Sequence, residues 1–452
     1  MTTGSPEGAG RAWYGARARL ASLLLPAVLT LVLVIAGANR GGARATDALE
    51  VVVTSPADGD TAECPDVTKC TLRAALELVV ADASDATYTV RFDPAAFPQD
   101  EPAVIAVAGG PLPSVFRADV VLDGTGAGVV IDGSGLPEGS FDGLQLMGAR
   151  NVARALQLRG FSGACLVLGG ANSRAENNVA GDCNAGIDLT GADSVATGNL
   201  VGFEADGSPS PVTIGIAARN ARIRIGGDPV TAPAERNTAG NAVSGISVGE
   251  PPAERFSGVM VTGNVLGMSP QGAAAPLAFG VRLGPGSSGT LVEANSIRNT
   301  TGAGIEVASD TTAITGNRFR QNTFAIESGM AIDLGGDTLR NPNDPDDSDA
   351  GANNLQNHPV FVRPAQAAIS GNVPGCNGCT VELYLAAHSP GGAADYGSQP
   401  LPIATATTDG TGAFTFFAPP VMCARALSAK SDADSPATTA FCSVSLMNLR
   451  RS

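Results

Sequence analysis

Lysine is almost missing from this chain of 452 residues: only Lys69 and Lys430 occur, with two histidines and one tryptophan. Aromatic residues make up 4% and charged residues 16% of the sequence, while glycine is abundant at 57 residues. The formal charge is −15, and residues 1–45 carry a net +4, which leaves −19 for the remainder. An acidic surface repels phosphate backbones, so nucleic acid is excluded as a partner. It repels acidic polysaccharides too, unless cations bridge the two. So few aromatics exclude a core built on large rings, and an apolar content of 44% excludes a disordered chain. Small side chains and close backbone approaches favour a turn-rich β architecture.

Arg11, Arg17 and Arg19 precede the apolar run LASLLLPAVLTLVLVIAGA, and Ala43-Arg44-Ala45 follows it. A basic flank, an apolar stretch and an A-x-A site read as an export signal over residues 1–45, cleaved after Ala45. Left uncleaved, the run is long enough to anchor the protein, and that is the expected route to a membrane. The expected location is secreted or cell-surface. Eight cysteines agree with an oxidising compartment. They fall into Cys64 with Cys70, Cys165 with Cys183, and a group of Cys376, Cys379, Cys423 and Cys442. Glycine beside Cys376-Asn377-Gly378-Cys379 suggests a hairpin, so these two cysteines are expected to bridge to Cys423 and Cys442.

Self-similarity dominates the middle of the chain. Short apolar alternations opened by glycine recur as GLQL, GACLVL, GIDL, GIAA, GISV, GVRL, GIEV and GMAIDL between residues 143 and 334. A second phrase ends at Asn177, Asn199, Asn241, Asn264, Asn295 and Asn317, with several intervals of 22 or 23 residues. A unit of that length with glycine and asparagine corners cannot bury its apolar side alone, and stacking one unit on the next gives a parallel β-helix. A leucine-rich horseshoe would show leucine at fixed spacing and a helical half-repeat, and neither is present. The asparagines are expected to serve the corners: an inward amide bonds buried backbone groups, and asparagine tolerates the left-handed backbone found there.

An open solenoid end exposes unpaired strand edges. Leu72, Ala75, Leu76, Val79 and Val80 form one helical stripe within residues 70–83, so a capping helix held by a Cys64–Cys70 bridge is expected. After Arg363 the repeat stops. The runs VELYLAA, PIATATT, GAFTFFA and ARALSAK read as a small antiparallel sandwich of the immunoglobulin-like type, a spacer or presentation module. The expected fold is therefore all-β: a right-handed parallel β-helix with an N-terminal capping helix, followed by a β-sandwich. Its divisions are a capping segment over 46–103, the solenoid over 104–340, an acidic junction over 341–362 and the sandwich over 363–445.

Cys70-Thr71-Leu72-Arg73-Ala74-Ala75 resembles the N-terminal Cys-Ser-Leu-Arg-Glu-Ala segment of exported bacterial right-handed parallel β-helix proteins. The phrase AIDLGGDTLRNPNDPDDSDAGANNLQNHPV, residues 331–360, is similar to the junction after the last coils in that group. The resemblance implies a surface or secreted β-helix of the pectate-lyase-like kind and carries over no catalytic residue.

In the glycine-opened strands the outward line is expected to run Gln145, Val167, Asp188, Ala217, Ser247, Arg282, Glu306, Asp333. Asp188, Ser247, Arg282 and Glu306 are the candidate ligand-binding face. At roughly 4.8 Å per coil, Asp188 and Glu306 lie about 19 Å apart, beyond the ~5–9.5 Å that separates glycosidase carboxylates. Glu306 and Asp333, one coil apart, are the candidate catalytic pair, against the alternative of a salt-bridged ladder with Arg282. A lyase would need a basic groove, and the basic run Arg219, Arg222, Arg224 reads as solvent-facing. His358 and His388 have no evident nucleophile beside them. In the junction, Asn343, Asp344, Asp346, Asp347 and Asp349 offer hard oxygens for calcium, with Gly351 allowing a bend; the spacing departs from the EF-hand. A solvated turn stiffened by Pro342 and Pro345 is the competing reading. Three functions follow: a protein binding a polysaccharide or another cell-surface ligand along its sheet face, a polysaccharide hydrolase or lyase, or an architectural spacer.

Overall fold

The computed structural model describes residues 48–59, 64, 69–249, 256–308, 314–326, 329–365, 368–385, 398–399, 402–417 and 444–450. The export signal, His388, Cys423, Cys442 and the run ARALSAK lie outside the described residues. Among the described residues no helix is long and apolar enough to cross a membrane.

The chain winds into stacked coils whose strands all pair in parallel, the arrangement of a parallel β-helix. Three faces result. Face one is a ten-stranded sheet from Ala48–Val53 to Arg318–Arg320. Face two runs from Leu144–Leu146 through the second halves of Gln157–Leu168 and Val179–Leu189. It continues through Val212–Ala218, Ala242–Val248, Leu277–Leu283 and Ile305–Ala308 to Ile332–Gly335. Face three begins at Ala103–Ala106, shares the first halves of the two long strands, and ends at Thr323–Ala325.

The solenoid begins earlier than the glycine phrases indicate. Ala48–Val53 and Thr87–Phe92 pair in parallel over six residues and open face one, so the segment expected only to cap contributes two strands. Their sequences ALEVVV and TYTVRF alternate well but lack the glycine opener, and a helix separates them. That helix spans Leu72–Ala81, and the Thr71 hydroxyl accepts the Ala74 N–H at its start, the job a Ser would do there. Leu72, Ala75, Leu76 and Val79 are buried against the first strands, the two leucines and the valine each worth about 1.5–3 kcal/mol. Val80, expected on that stripe, is instead 47% exposed. Arg73 fixes the helix in place. Its guanidinium pairs with buried Asp58 at 2.8 Å and donates to the carbonyls of Gly110 and Pro111, while Asp58 accepts the N–H groups of Ala108 and Gly109.

One apolar core runs the length of the solenoid, from Val51 to Ala352. At one corner it is lined by an amide ladder, Asn178–Asn199–Asn237–Asn264–Asn295–Asn322, each Oδ1 from Asn199 onward accepting both the backbone N–H and the side-chain N–H of the asparagine in the coil before. The series read from sequence mixes three corners. Asn199, Asn264 and Asn295 belong to this ladder, whereas Asn177 and Asn241 stand in left-handed backbone at φ 54° and 50°. Asn317 belongs to a second line, where its Oδ1 accepts the Thr290 N–H and Asn353 bonds it from beyond the last coil. Elsewhere the coils touch backbone to backbone: a Cβ on Gly170 would collide with the Gly148 carbonyl oxygen.

Cys64 bonds Cys70, and Cys165 bonds Cys183 on the neighbouring coil. Cys376 bonds Cys379, which corrects the expectation that each reaches Cys423 or Cys442: the turn between them brings their Cα atoms within 5.8 Å. Beyond the junction lie two three-stranded antiparallel sheets sharing a small apolar cluster around Val373, Val381, Leu383, Phe414 and Phe416. One sheet starts at Val360 and the other includes Val444–Arg450, so this region extends past residues 363–445 at both ends. It is also no free-standing spacer. Ser398–Gln399 pairs antiparallel with Thr323–Ala325, the last strand of face three, and the Gln321 N–H reaches the Glu382 carboxylate.

Candidate functional site

Strand register on face two aligns Gln145, Val167, Asp188, Ala217, Ser247, Arg282, Glu306 and Asp333 in one row, each paired with the next. The row turns outward because its neighbours Leu166, Leu168, Ile187, Leu189, Ile246 and Val248 fill the core. Asp188 and Glu306 are four steps apart, as their spacing implies. The Arg219 Nε donates to both oxygens of Asp188 at 2.9 and 3.0 Å. Small Ala217 and Ser247 lie buried between longer neighbours. Arg282 pairs with Glu306 at 2.8 Å, and its guanidinium sits 5.6 Å over the Phe279 ring.

Glu306 and Asp333 are adjacent across the ladder, but only 5% and 1% exposed. The Thr338 N–H closes over Asp333 and donates to its Oδ2 at 3.0 Å, while Oδ1 has no partner among the described residues. Burial pushes the Asp333 carboxyl above the usual range, helped by the charges of Asp337 and Glu306 and opposed by the Thr338 hydrogen bond. A carboxylic acid kept towards its neutral form beside an ion-paired carboxylate has the electronic asymmetry of an acid and base pair. It lacks room for a sugar ring: the turn that bonds Asp333 occupies the approach.

Phe116 was not legible as a member of this face. Val115 bridges Leu146 in parallel, with both side chains in the core, so Ser114 and Phe116 point outward. The Ser114 hydroxyl meets the Gln145 amide oxygen at 2.9 Å, and Phe116 stands 74% exposed at the register position of Met147. Met147 belongs to a small apolar cluster outside the main core, with Ala164, Val167, Ala185 and Ile214. Asp142 accepts the Ala164 N–H beside it. A depression of about 360 Å³ is lined by Ser134, Leu136, Pro137, Glu138, Ser162 and three glycines, far in sequence from Glu306.

The run Arg219, Arg222, Arg224 does not form one basic patch. Arg219 serves Asp188, Arg222 pairs with Asp193, and Arg224 pairs with Glu235. His358 is half-buried, and burial and then Arg340 lower its imidazole below the usual value. No nucleophile is bonded to it among the described residues.

In the junction the structure gathers three of the five calcium candidates: Asp344, Asp347 and Asp349 bring carboxylate oxygens within 4.8 Å of one another. Asn343 is engaged elsewhere, its Oδ1 accepting the His358 N–H and its Nδ2 donating to the His358 carbonyl, both at 2.8 Å. Asp346 is exposed and outside the group. Asn357 ties the loop together, donating its backbone N–H to Asp347 and its amide to Asp344. Burial, with the charges of Asp344 and Asp347, raises the Asp349 carboxyl, and its Oδ1 is buried without a hydrogen bond among the described residues.

No protein-family model matches the chain, and no curated protein matches it. Among solved structures it is similar to the A-module of the Azotobacter vinelandii mannuronan C-5 epimerase AlgE4, at 14% identity and a TM-score of 0.33, over 58% of this chain and 85% of that one. It is also similar to a point mutant of the periplasmic alginate epimerase AlgG, at 13% identity and a TM-score of 0.31, over 58% of this chain and 67% of that one.

Proposed function

We propose that the protein is an exported right-handed β-helix, secreted or held at the cell surface, that binds a polysaccharide or similar surface ligand along face two. The observation that carries this reading is the outward row itself: Gln145, Asp188 and Arg282 present polar groups at partly exposed positions, and an apolar ledge lies beside them at its N-terminal end. Extended ligands suit such a rigid strip, because each coil offers its groups at a fixed spacing of about 4.8 Å. The leader in residues 1–45 and the disulfides support export. The terminal sheets read as an immunoglobulin-like module that seals the last coil. The helix Leu72–Ala81 reads as the opposite seal.

A structural calcium ion in the junction is part of the proposal. Asp344, Asp347 and Asp349 would supply its carboxylate oxygens, relieving the repulsion that, after burial, raises the Asp349 carboxyl. A second reading, polysaccharide cleavage by Glu306 and Asp333, is favoured by the raised Asp333 carboxyl and opposed by the burial of both residues.

The test is a screen of the purified full chain against neutral and acidic polysaccharides, scored for retention and for new reducing or unsaturated ends. Retention without product formation is expected. Product formation that disappears in Glu306→Gln would replace the binding reading with the enzymatic one.

A further inference from the structure

We infer that the ligand of face two is an uncharged polysaccharide rather than a polyuronate, lying across the coils between Phe116 and Phe279. The inference rests on the glycan-binding reading above and narrows it to a chemical class. Charge decides against an acidic polymer. The row's one arginine and the arginine that reaches it from alongside are already committed: Arg282 to Glu306, and Arg219 to the two oxygens of Asp188. Asp142 adds a further carboxylate at the N-terminal end, and the chain beyond the leader carries −19. A uronate carboxylate brought to about 4 Å from Asp142 would be opposed by ~1 kcal/mol even in a water-like dielectric, and the two committed arginines do little to offset it.

A neutral sugar meets none of this opposition. Its hydroxyls both donate and accept, and an arginine–carboxylate pair offers donors and acceptors together without net charge. Its C–H face needs an apolar platform. Phe116 supplies one, 74% exposed and next in register to Met147, and continuous with the external cluster around Val167. Phe279, half-buried with the Arg282 guanidinium 5.6 Å over its ring, marks the far end of the strip. Counting register steps from Ser114 to Arg282 gives a separation of roughly 29 Å, a span that one monosaccharide cannot bridge. The occupant is therefore a chain.

Affinity electrophoresis of the full chain in gels carrying galactomannan, hydroxyethyl cellulose, polygalacturonate or alginate, at low and high salt, tests the assignment. A neutral polymer is expected to retard the protein with little salt dependence, and Phe116→Ala is expected to weaken that retardation about tenfold. Because Phe116 is exposed, circular dichroism of the variant should be unchanged. Stronger, salt-sensitive retardation by a polyuronate would overturn the neutral class while leaving glycan binding standing. Retardation by neither class would overturn both. Unchanged affinity in Phe116→Ala, or a shift from dimer to monomer by sedimentation in that variant, would overturn the placement of the ligand at this ledge.

Discussion

Replacing Asn237 by alanine should remove several kilocalories of stability from a chain of this size. The Asn237 Oδ1 accepts both the backbone N–H and the side-chain N–H of Asn199 at 2.9 Å. Its Nδ2 donates to the Ala196 carbonyl and to the Asn264 Oδ1, also at 2.9 Å. All of these groups are buried. Alanine leaves the Asn199 N–H and at least one acceptor unpaired in the interior. With about 1–3 kcal/mol for each of two orphaned groups, the loss comes to roughly 2–6 kcal/mol. Asn241→Ala is the matched control: its amide makes one bond, to the Gly202 carbonyl, from a partly exposed corner. It should cost about 1 kcal/mol through that bond and the left-handed backbone that asparagine tolerates. Urea unfolding followed by circular dichroism measures both, and hydrogen exchange at the Asn199 amide reports the local opening. Equal midpoints for the two variants, or an Asn237→Ala loss below that of Asn241→Ala, would refute the idea that the amide ladder is a principal stabiliser of the stacked coils.

Three further outcomes are expected. Because the folded Asp333 carboxyl titrates above its unfolded value, the stability it contributes is present below the ordinary carboxylate pKa and is lost as pH rises through the folded value. Asp333→Asn should therefore gain stability over the natural protein at neutral pH and little at pH 4; a difference in urea midpoint that does not change with pH would contradict this. Millimolar calcium should raise the melting temperature of the natural protein and not that of Asp349→Asn, the size following about 2.7 kcal/mol at a hundredfold excess over Kd; equal responses in the two proteins would remove the ion from this site. Gly170→Ala should destabilise by more than 2 kcal/mol, on the order of an overpacked core, since its Cβ has to displace the Gly148 carbonyl; a near-neutral midpoint would show that the corner yields.

Face two could be read from sequence because each of its strands opens with glycine and then alternates once. That made the row from Gln145 to Asp333 a matter of counting. The same counting hid Phe279. The glycine after it would aim a side chain at core Ile297, so two successive positions face inward and the alternation slips by one. The first two strands were missed because their spacing is broken by the helix between them. The asparagine series was misjoined because TGN and AGN look alike wherever they occur, whereas only register tells one corner from another. Burial of Glu306 and Asp333 depends on the turn at Thr338, five residues away along the chain, and no periodic pattern places that turn over the strand.

The amide ladder is indifferent to which coil it is in. Asn178, Asn199, Asn237 and Asn264 each donate a backbone N–H and a side-chain N–H to the Oδ1 of the next turn's asparagine, while the ends are finished separately, by the Arg73 clamp on one side and by Asn353 with the Ser398–Gln399 strand on the other. A protein built this way can change its reach by gaining or losing a whole turn from the middle. Neither terminus has to be redesigned, and the strip on face two simply becomes one rung longer or shorter.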